Sequence, residues 1–258
     1  MEETKKPNII LGLDISTTCI GVCLLLDDGS PYGKILELTH VNPKVPKKID
    51  KAQSLFLKTE IFEEEFLTKY KNYGITKCVI EAPLLGSNNT NTVSTLLQFN
   101  GMISLSVFKI LGIVPNYISS YEARKYAFPD LMAVRKFGKE EQPYNADKIR
   151  TNIKKSKLVL FGSYPWSIDK KSVLQEKVAD IFPQIQWLYD KKGELRQENY
   201  DSTDAFVALL GQMNKERYGE LIFKTSDIIE KKRTKGKIEF SYKVKYWDKE
   251  EKRKTFVG

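Results

Sequence analysis

Four carboxylates stand where a carboxylate is hard to place. Asp14 interrupts "IILGLDISTTCIG" (residues 9–21), a run that otherwise reads as a buried strand. Taking an unpaired charge out of water is expensive, so such a position calls for a compensating partner. Glu81 sits at the end of "KCVIEAP", a short apolar strand that Pro83 stops. Asp201 and Asp204 fall in the first turn of the helix expected from "NYDSTDAFVALLGQM", three residues apart and so on one face. If strands one and four are neighbours, Asp14 and Glu81 approach each other, and a helix start laid across them adds the other pair. Carboxylates brought that close repel unless a cation lies between them. Oxygen-only ligands suit Mg²⁺ or Mn²⁺ rather than zinc. Two such ions stabilise the attacking and leaving oxygens of a phosphoryl transfer.

Each residue also has a plain structural reading. Asp201 can cap its helix and Asp204 can favour the helix dipole. Glu81 can be a solvated strand end. Gly12-x-Asp14 in an apolar strand has the fewest such explanations. The conjunction of the four carries the argument.

The elements that must hold these residues follow from periodicity. Residues 9–15 and 20–26 read as strands joined by the turn "STT", and "YGKILELTHV" as a third, which makes an antiparallel meander. Residues 50–73 are helical, with Phe62, Phe66 and Tyr70 at four-residue steps. Strand "KCVIEAP", an apolar helix over 93–111, strand "IVPNYIS" and helix "SYEARKYAF" come next. Residues 129–172 are basic, Pro-punctuated and aperiodic, and read as an insertion. Residues 172–182 return to helix. Residues 237–246 alternate cleanly, like one arm of a basic hairpin. The expected fold is α/β, a five-stranded mixed sheet with flanking helices.

The 258 residues carry a net charge of +9, unevenly placed. Residues 231–258 hold eleven Lys/Arg against four acids, on an otherwise nearly neutral chain. A basic tail suits an anionic partner, nucleic acid first, or serves as a solubilising segment. Cys19, Cys23 and Cys78 lie in apolar runs and form no CxxC pair, so buried free thiols and a reducing, cytoplasmic setting are expected. No apolar stretch is read as long enough to span a bilayer, so no membrane partner is expected. His40 is the single histidine, which excludes most catalytic triads and His-rich metal sites.

"GLDISTTCIG", "VIEAP" and "DSTDAFVALL", in this order, resemble the RuvC-type Holliday junction resolvases of the ribonuclease H-like superfamily. The resemblance covers roughly residues 8–127 and 173–213. It implies a ribonuclease H-like nuclease domain over 1–213, with the insertion 129–172 and a basic extension 214–258 outside the family core. It implies that Asp14, Glu81, Asp201 and Asp204 hold two Mg²⁺, with Mn²⁺ able to substitute, and hydrolyse a phosphodiester. Lys177, and Lys171 beside it, would approach phosphate. The implied substrate is branched DNA, a four-way junction above all, cut by a homodimer for which the helix over 93–111 is the interface.

Leu84 and Leu85 stand where the family often carries an aromatic residue, which puts its junction contact in doubt. Outside the core, Lys243 and Lys245 alternate with Tyr242, Tyr246 and Trp247, a mixture that suits backbone contact with base stacking, or equally an edge hairpin with lysines in water. Other readings use the same residues. One is a ribonuclease H-like enzyme cutting RNA–DNA hybrids or single strands. Another is a catalytically silent nucleic-acid-binding module. "GLDISTT" also resembles the first phosphate motif of sugar and acetate kinases, but neither their domain duplication nor their second glycine-rich loop is present.

Overall fold

The structure is a computed structural model that describes residues 8–84, 90–129, 132–134, 158–160, 170–219, 221–234, 237–247 and 253–256. The chain divides into two compact units, Met1–Ser120 with Leu174–Leu210, and Tyr121–Val173 with Gly211–Gly258.

The first unit is built on a five-stranded mixed sheet. Strands β1 (Asn8–Ile15), β2 (Ile20–Asp27) and β3 (Lys34–Val41) form the expected meander, each antiparallel to the next. The chain then crosses over through helix α1 (Lys51–Phe62), which widens into a π-helical turn (Glu63–Leu67) and ends as Thr68–Tyr70. Strand β4 (Ile75–Glu81) enters parallel to β1. Helix α2 (Thr90–Leu111) leads to β5 (Asn116–Ile118), parallel to β4, for a sheet order of β3-β2-β1-β4-β5. β1 and β4 are thus neighbours, as the carboxylate argument required.

Alternation along the strands divides the sheet into two faces. Ile9, Leu11, Leu13 and Ile15 of β1 join Cys78 and Ile80 of β4 in one core, packed against α1 and α2. Phe62, Phe66 and Tyr70 stack in succession, with ring centroids 5.7 and 4.6 Å apart. The four-residue step therefore fixes the buried face of α1 despite the π-turn. Asp50 caps α1, accepting from the Ala52 and Gln53 amides.

Helix α3 (Ser120–Ala127) precedes strands β6 (Met132–Val134) and β7 (Leu158–Leu160), an antiparallel pair within the expected insertion. Helices α4 (Lys170–Ile181) and α5 (Gln197–Tyr218) follow. In the second unit, Asn214 Nδ2 donates to the Tyr126 carbonyl at 3.0 Å, and a Cβ at Gly211 would stand 2.5 Å from the Ala123 carbonyl oxygen. The tail is a three-stranded antiparallel sheet, with β9 (Lys237–Trp247) between β8 (Leu221–Thr234) and β10 (Arg253–Phe256). The expected hairpin arm is its central strand.

Two expectations need correction. Helix α2, at 22 residues, is long and apolar enough to cross a membrane by length and composition. Its polar residues disguise this in the sequence. Thr95, Asn100, Ser104 and Ser106 each donate to the carbonyl four residues back, and Ser104 and Ser106 also meet Tyr117 and Glu63. In this fold Phe99, Ile103 and Val107 of α2 are buried in the core. Second, α5 begins at Gln197, four residues before Asp201. Neither Asp201 nor Asp204 lies in its first turn.

Candidate active site

The β1–β2 turn sets the position of Asp14. Ser16 closes it: the Ser16 amide donates to the Cys19 carbonyl at 2.9 Å, and Ser16 Oγ accepts from the Cys19 amide at 3.0 Å. Lys58 of α1 donates to the Thr17 carbonyl at 2.5 Å, and burial lowers the pKa of its ammonium. Asp14 is the seventh of the eight residues of β1, at its carboxyl end rather than mid-strand, and is half-buried. The last β1–β4 pair is Leu13 with Ile80. Asp14 and Glu81 each follow by one residue, so they share a level and a face. That face is opposite the aliphatic core, since Leu13 and Ile80 belong to the core.

Helix α5 lies on this second face, and two glycines admit it. A Cβ on Gly12 would stand 2.5 Å from the Ala205 carbonyl oxygen and 2.9 Å from Leu209 Cβ. A Cβ on Gly21, the cross-strand partner of Asp14, would stand 2.1 Å from the Asp201 carbonyl oxygen. The backbone at Asp201 therefore rests directly beside the Asp14 position. Ser202 Oγ donates to the Thr39 carbonyl of β3 at 2.6 Å, which fixes the rotation of the helix. At about 100° per residue, Asp204 faces roughly 160° away from Ser202.

Asp201 and Asp204 are 8% and 4% exposed, and are the only acidic or basic side chains buried among the described residues. Inside the helix, beyond its first turn, they cap nothing and gain little from the dipole. Gln197 Nε2 donates to Asp201 Oδ1 at 3.3 Å. The Cys19 thiol lies among these acids. Burial, then Asp201, Glu198 and Asp14, raise its pKa. Cys19, Cys23 and Cys78 are all buried and free, as expected.

The backbone thus brings the four acids to one face and one end of the sheet. Among the described residues, however, no three His, Cys, Asp or Glu side chains converge closely enough to hold a metal ion. The donor chemistry suits a hard divalent cation, but the joint chelation expected from the sequence is not formed by these side-chain positions.

Lys171 and Lys177 are both half-buried on α4. Six residues apart, they differ by about 120° around the axis and do not share a face. Lys243 and Lys245 lie in β9, where Val244 between them pairs with Phe223 and Phe256; their side chains lie outside the described residues. Leu84 is 70% exposed, and Leu85 lies outside the described residues.

A second polar group borders the acids and was not legible in the sequence. Glu198 takes bonds from Arg196 and, at 3.1 Å, from Asn42. The hydrogen bond from Arg196 is the main cause that holds its carboxyl at about 2, below its ordinary 4.5. A depressed carboxylate adds stability that is complete above its unfolded value and is lost as the pH falls through its folded value. Acid unfolding followed by circular dichroism should show the wild type losing stability more steeply than Glu198→Gln between pH 4.5 and about 2. Parallel curves would remove Glu198 from the stabilising network. His40 pairs with Gly21 across β2–β3, so Asp14, Gly21 and His40 form one cross-strand row. Burial lowers the His40 pKa, against the opposing pull of Glu198 and Asp201.

No protein-family model matches the chain, and no curated protein matches it. Solved structures do. A Thermus thermophilus RuvC in complex with Holliday junction substrate superposes with a TM-score of 0.49 and 11% identity, covering 80% of this chain and 93% of that one. The structure titled "Thermus thermophilus RuvC structure" gives 0.42 and 10%, over 80% and 94%. The yeast mitochondrial Holliday junction resolvase Ydc2 gives 0.43 and 9%, over 81% and 78%. These are likenesses of fold. The α/β architecture itself, a five-stranded mixed sheet with flanking helices, is as expected.

Proposed function

We propose that the chain is a divalent-metal-dependent nuclease of the ribonuclease H-like kind, hydrolysing phosphodiesters in branched DNA, with the four-way junction as its substrate. One observation carries this reading. Two buried carboxylates, Asp201 and Asp204, sit in the interior of a helix laid over the sheet face that presents Asp14 and Glu81. Repulsion among carboxylates on one sheet face is offset when a divalent cation lies among them.

Asp14, Glu81, Asp201 and Asp204 are the residues that would hold Mg²⁺, or Mn²⁺ in its place. When bound, a pair of such ions activates water and stabilises the leaving oxygen of a phosphodiester. The chain's own contribution is placement. Gly12 and Gly21 let α5 approach, Ser202 sets its rotation, and Ser16 fixes the turn after Asp14. Lys177 and Lys171 are assigned to phosphate, and Lys243 and Lys245 to the DNA backbone beyond the cut.

A homodimer is the assembly proposed, because a four-way junction presents two symmetric strands. Leu97, Leu105 and Phe108 are 44%, 51% and 51% exposed along one side of α2, and nothing lies within 4 Å of a Cβ built on Gly101 between them. An apolar stripe around a glycine suits a helix packed on its own copy. Phe108→Glu should turn a dimer into a monomer in analytical ultracentrifugation; an unchanged sedimentation coefficient would move the interface elsewhere.

The function is tested by incubating the chain with labelled four-way junction, fork, duplex and RNA–DNA hybrid, with Mg²⁺ or with EDTA. Paired nicks in the junction, absent in EDTA, are the expected result. Cutting confined to the hybrid would replace the DNA reading with a ribonuclease one.

A further inference from the structure

A cavity of about 140 Å³ lies between β3, α5 and the segment before α5, and nothing in the proposed hydrolysis uses it. Its walls include Thr39 and His40 of β3, Ser202 of α5, and Gln186 and Trp187 of the segment before α5. Both walls are fixed. Asn199, 5% exposed, accepts from the Leu188 amide at 2.9 Å and donates to the Leu188 carbonyl at 2.7 Å. The Ser202 bond to Thr39 holds β3 to the same helix.

We propose that this cavity receives one unstacked nucleobase of the bound strand, resting on the reading above that the chain binds DNA. Two observations choose the ligand. The volume is below the ~300–1,000 Å³ of pockets for drug-sized molecules and suits one small planar group. Trp187 and His40 are among its lining residues, and base stacking on aromatic rings tolerates every base.

Position supports the same choice. His40 lies two strands from Asp14 in the cross-strand row, roughly 9.6 Å at the usual strand spacing. Stacked DNA covers that distance in about three nucleotides. A strand whose phosphate meets the acids would therefore present a nearby base to Trp187. Gln186 is exposed at the rim, where its amide can meet a base edge. Such a pocket would hold the strand in register against the acids and give the enzyme a preference around its cut.

The test couples residue to base. Four-way junctions carrying a single abasic nucleotide at successive positions are titrated with the full chain in EDTA, where no cutting occurs. At one position the missing base should weaken wild-type binding roughly tenfold. Trp187→Ala should bind the intact junction weaker by a similar factor and be indifferent to the abasic site there. Trp187→Phe should restore the dependence. Trp187→Leu, which fills the space without a ring, should behave as the alanine variant and guards against misfolding. Equal abasic penalties in all four proteins at every position would overturn the pocket while leaving the nuclease reading intact. Failure of the wild type to bind any junction would overturn both.

Discussion

Asp14→Asn should cut a four-way junction at about a thousandth of the wild-type rate while binding it undiminished. The substitution keeps the size and polarity of the side chain and removes one charge from the acid group. A metal ion held by that group supplies several kcal/mol of transition-state stabilisation. At 1.36 kcal/mol for each factor of ten, losing ~4 kcal/mol gives the thousandfold effect. Stability should move the other way. Asp14 and Asp201 both act on the Cys19 thiol, so their charges share one locality. Removing one relieves repulsion, and the variant should melt higher than wild type in EDTA. Mg²⁺ should raise the melting temperature of the wild type and leave Asp14→Asn unmoved. Rate measurements on labelled junction and thermal melts with and without Mg²⁺ check both halves. An asparagine variant that cuts at the wild-type rate would exclude Asp14 from the chemistry.

Gly21→Ala is the second large effect, and it acts through the backbone. The added methyl would stand 2.1 Å from the Asp201 carbonyl oxygen and 2.7 Å from the Ser202 amide nitrogen. Ordinary contact begins near 3.4 Å, so α5 must retreat by more than an ångström. Overpacking against a flexible side chain costs ~1–3 kcal/mol, and here the obstacle is main chain. A loss of about 3 kcal/mol lowers the melting temperature by roughly 6–12 °C for a chain of this size. Activity should fall further than stability explains, because the retreat carries Asp201 away from Asp14. Gly101→Ala, on the face proposed for the dimer, is the comparison within one protomer, since a Cβ there meets nothing of its own chain within 4 Å. Calorimetry on the two variants decides the matter; a Gly21→Ala protein that melts with the wild type would mean that α5 does not rest on β2.

Much of this frame was readable from residue patterns because it depends on local periods. Alternation in residues 9–15 gave β1, the continuous apolar run 20–26 gave β2, and the four-step spacing of Phe62, Phe66 and Tyr70 gave the buried face of α1. The pairing of β1 with β4 entered as a condition on the carboxylates, and the sheet order meets it. The start of α5 was not readable. The residue before it is Arg196, which is no capping type, and its guanidinium binds Glu198 instead. Asp201, by contrast, has the look of a cap in sequence and is an interior residue in the fold. That difference removes the capping reading of Asp201.

The glycine contacts were hidden for a related reason. Gly21 follows a turn in an apolar run, and nothing local says that a helix 180 residues later rests on it. The Arg196–Glu198–Asn42 group, the cavity at Trp187 and the Asp14–Gly21–His40 row likewise exist only once β3 and α5 are packed. Helix α2 misled by composition. Several of its hydroxyl and amide groups turn back to the helix backbone, and a length of chain that reads as interrupted is long and apolar enough to cross a membrane by length and composition.

The central claim is that Asp14, Glu81, Asp201 and Asp204 act together on divalent cations. Crystals grown with Mn²⁺ and measured at the manganese absorption edge test it most directly. The account predicts two anomalous peaks ~3.5–4 Å apart, bounded by those four carboxylates. Peaks elsewhere on the chain, or none at saturating Mn²⁺, would contradict it.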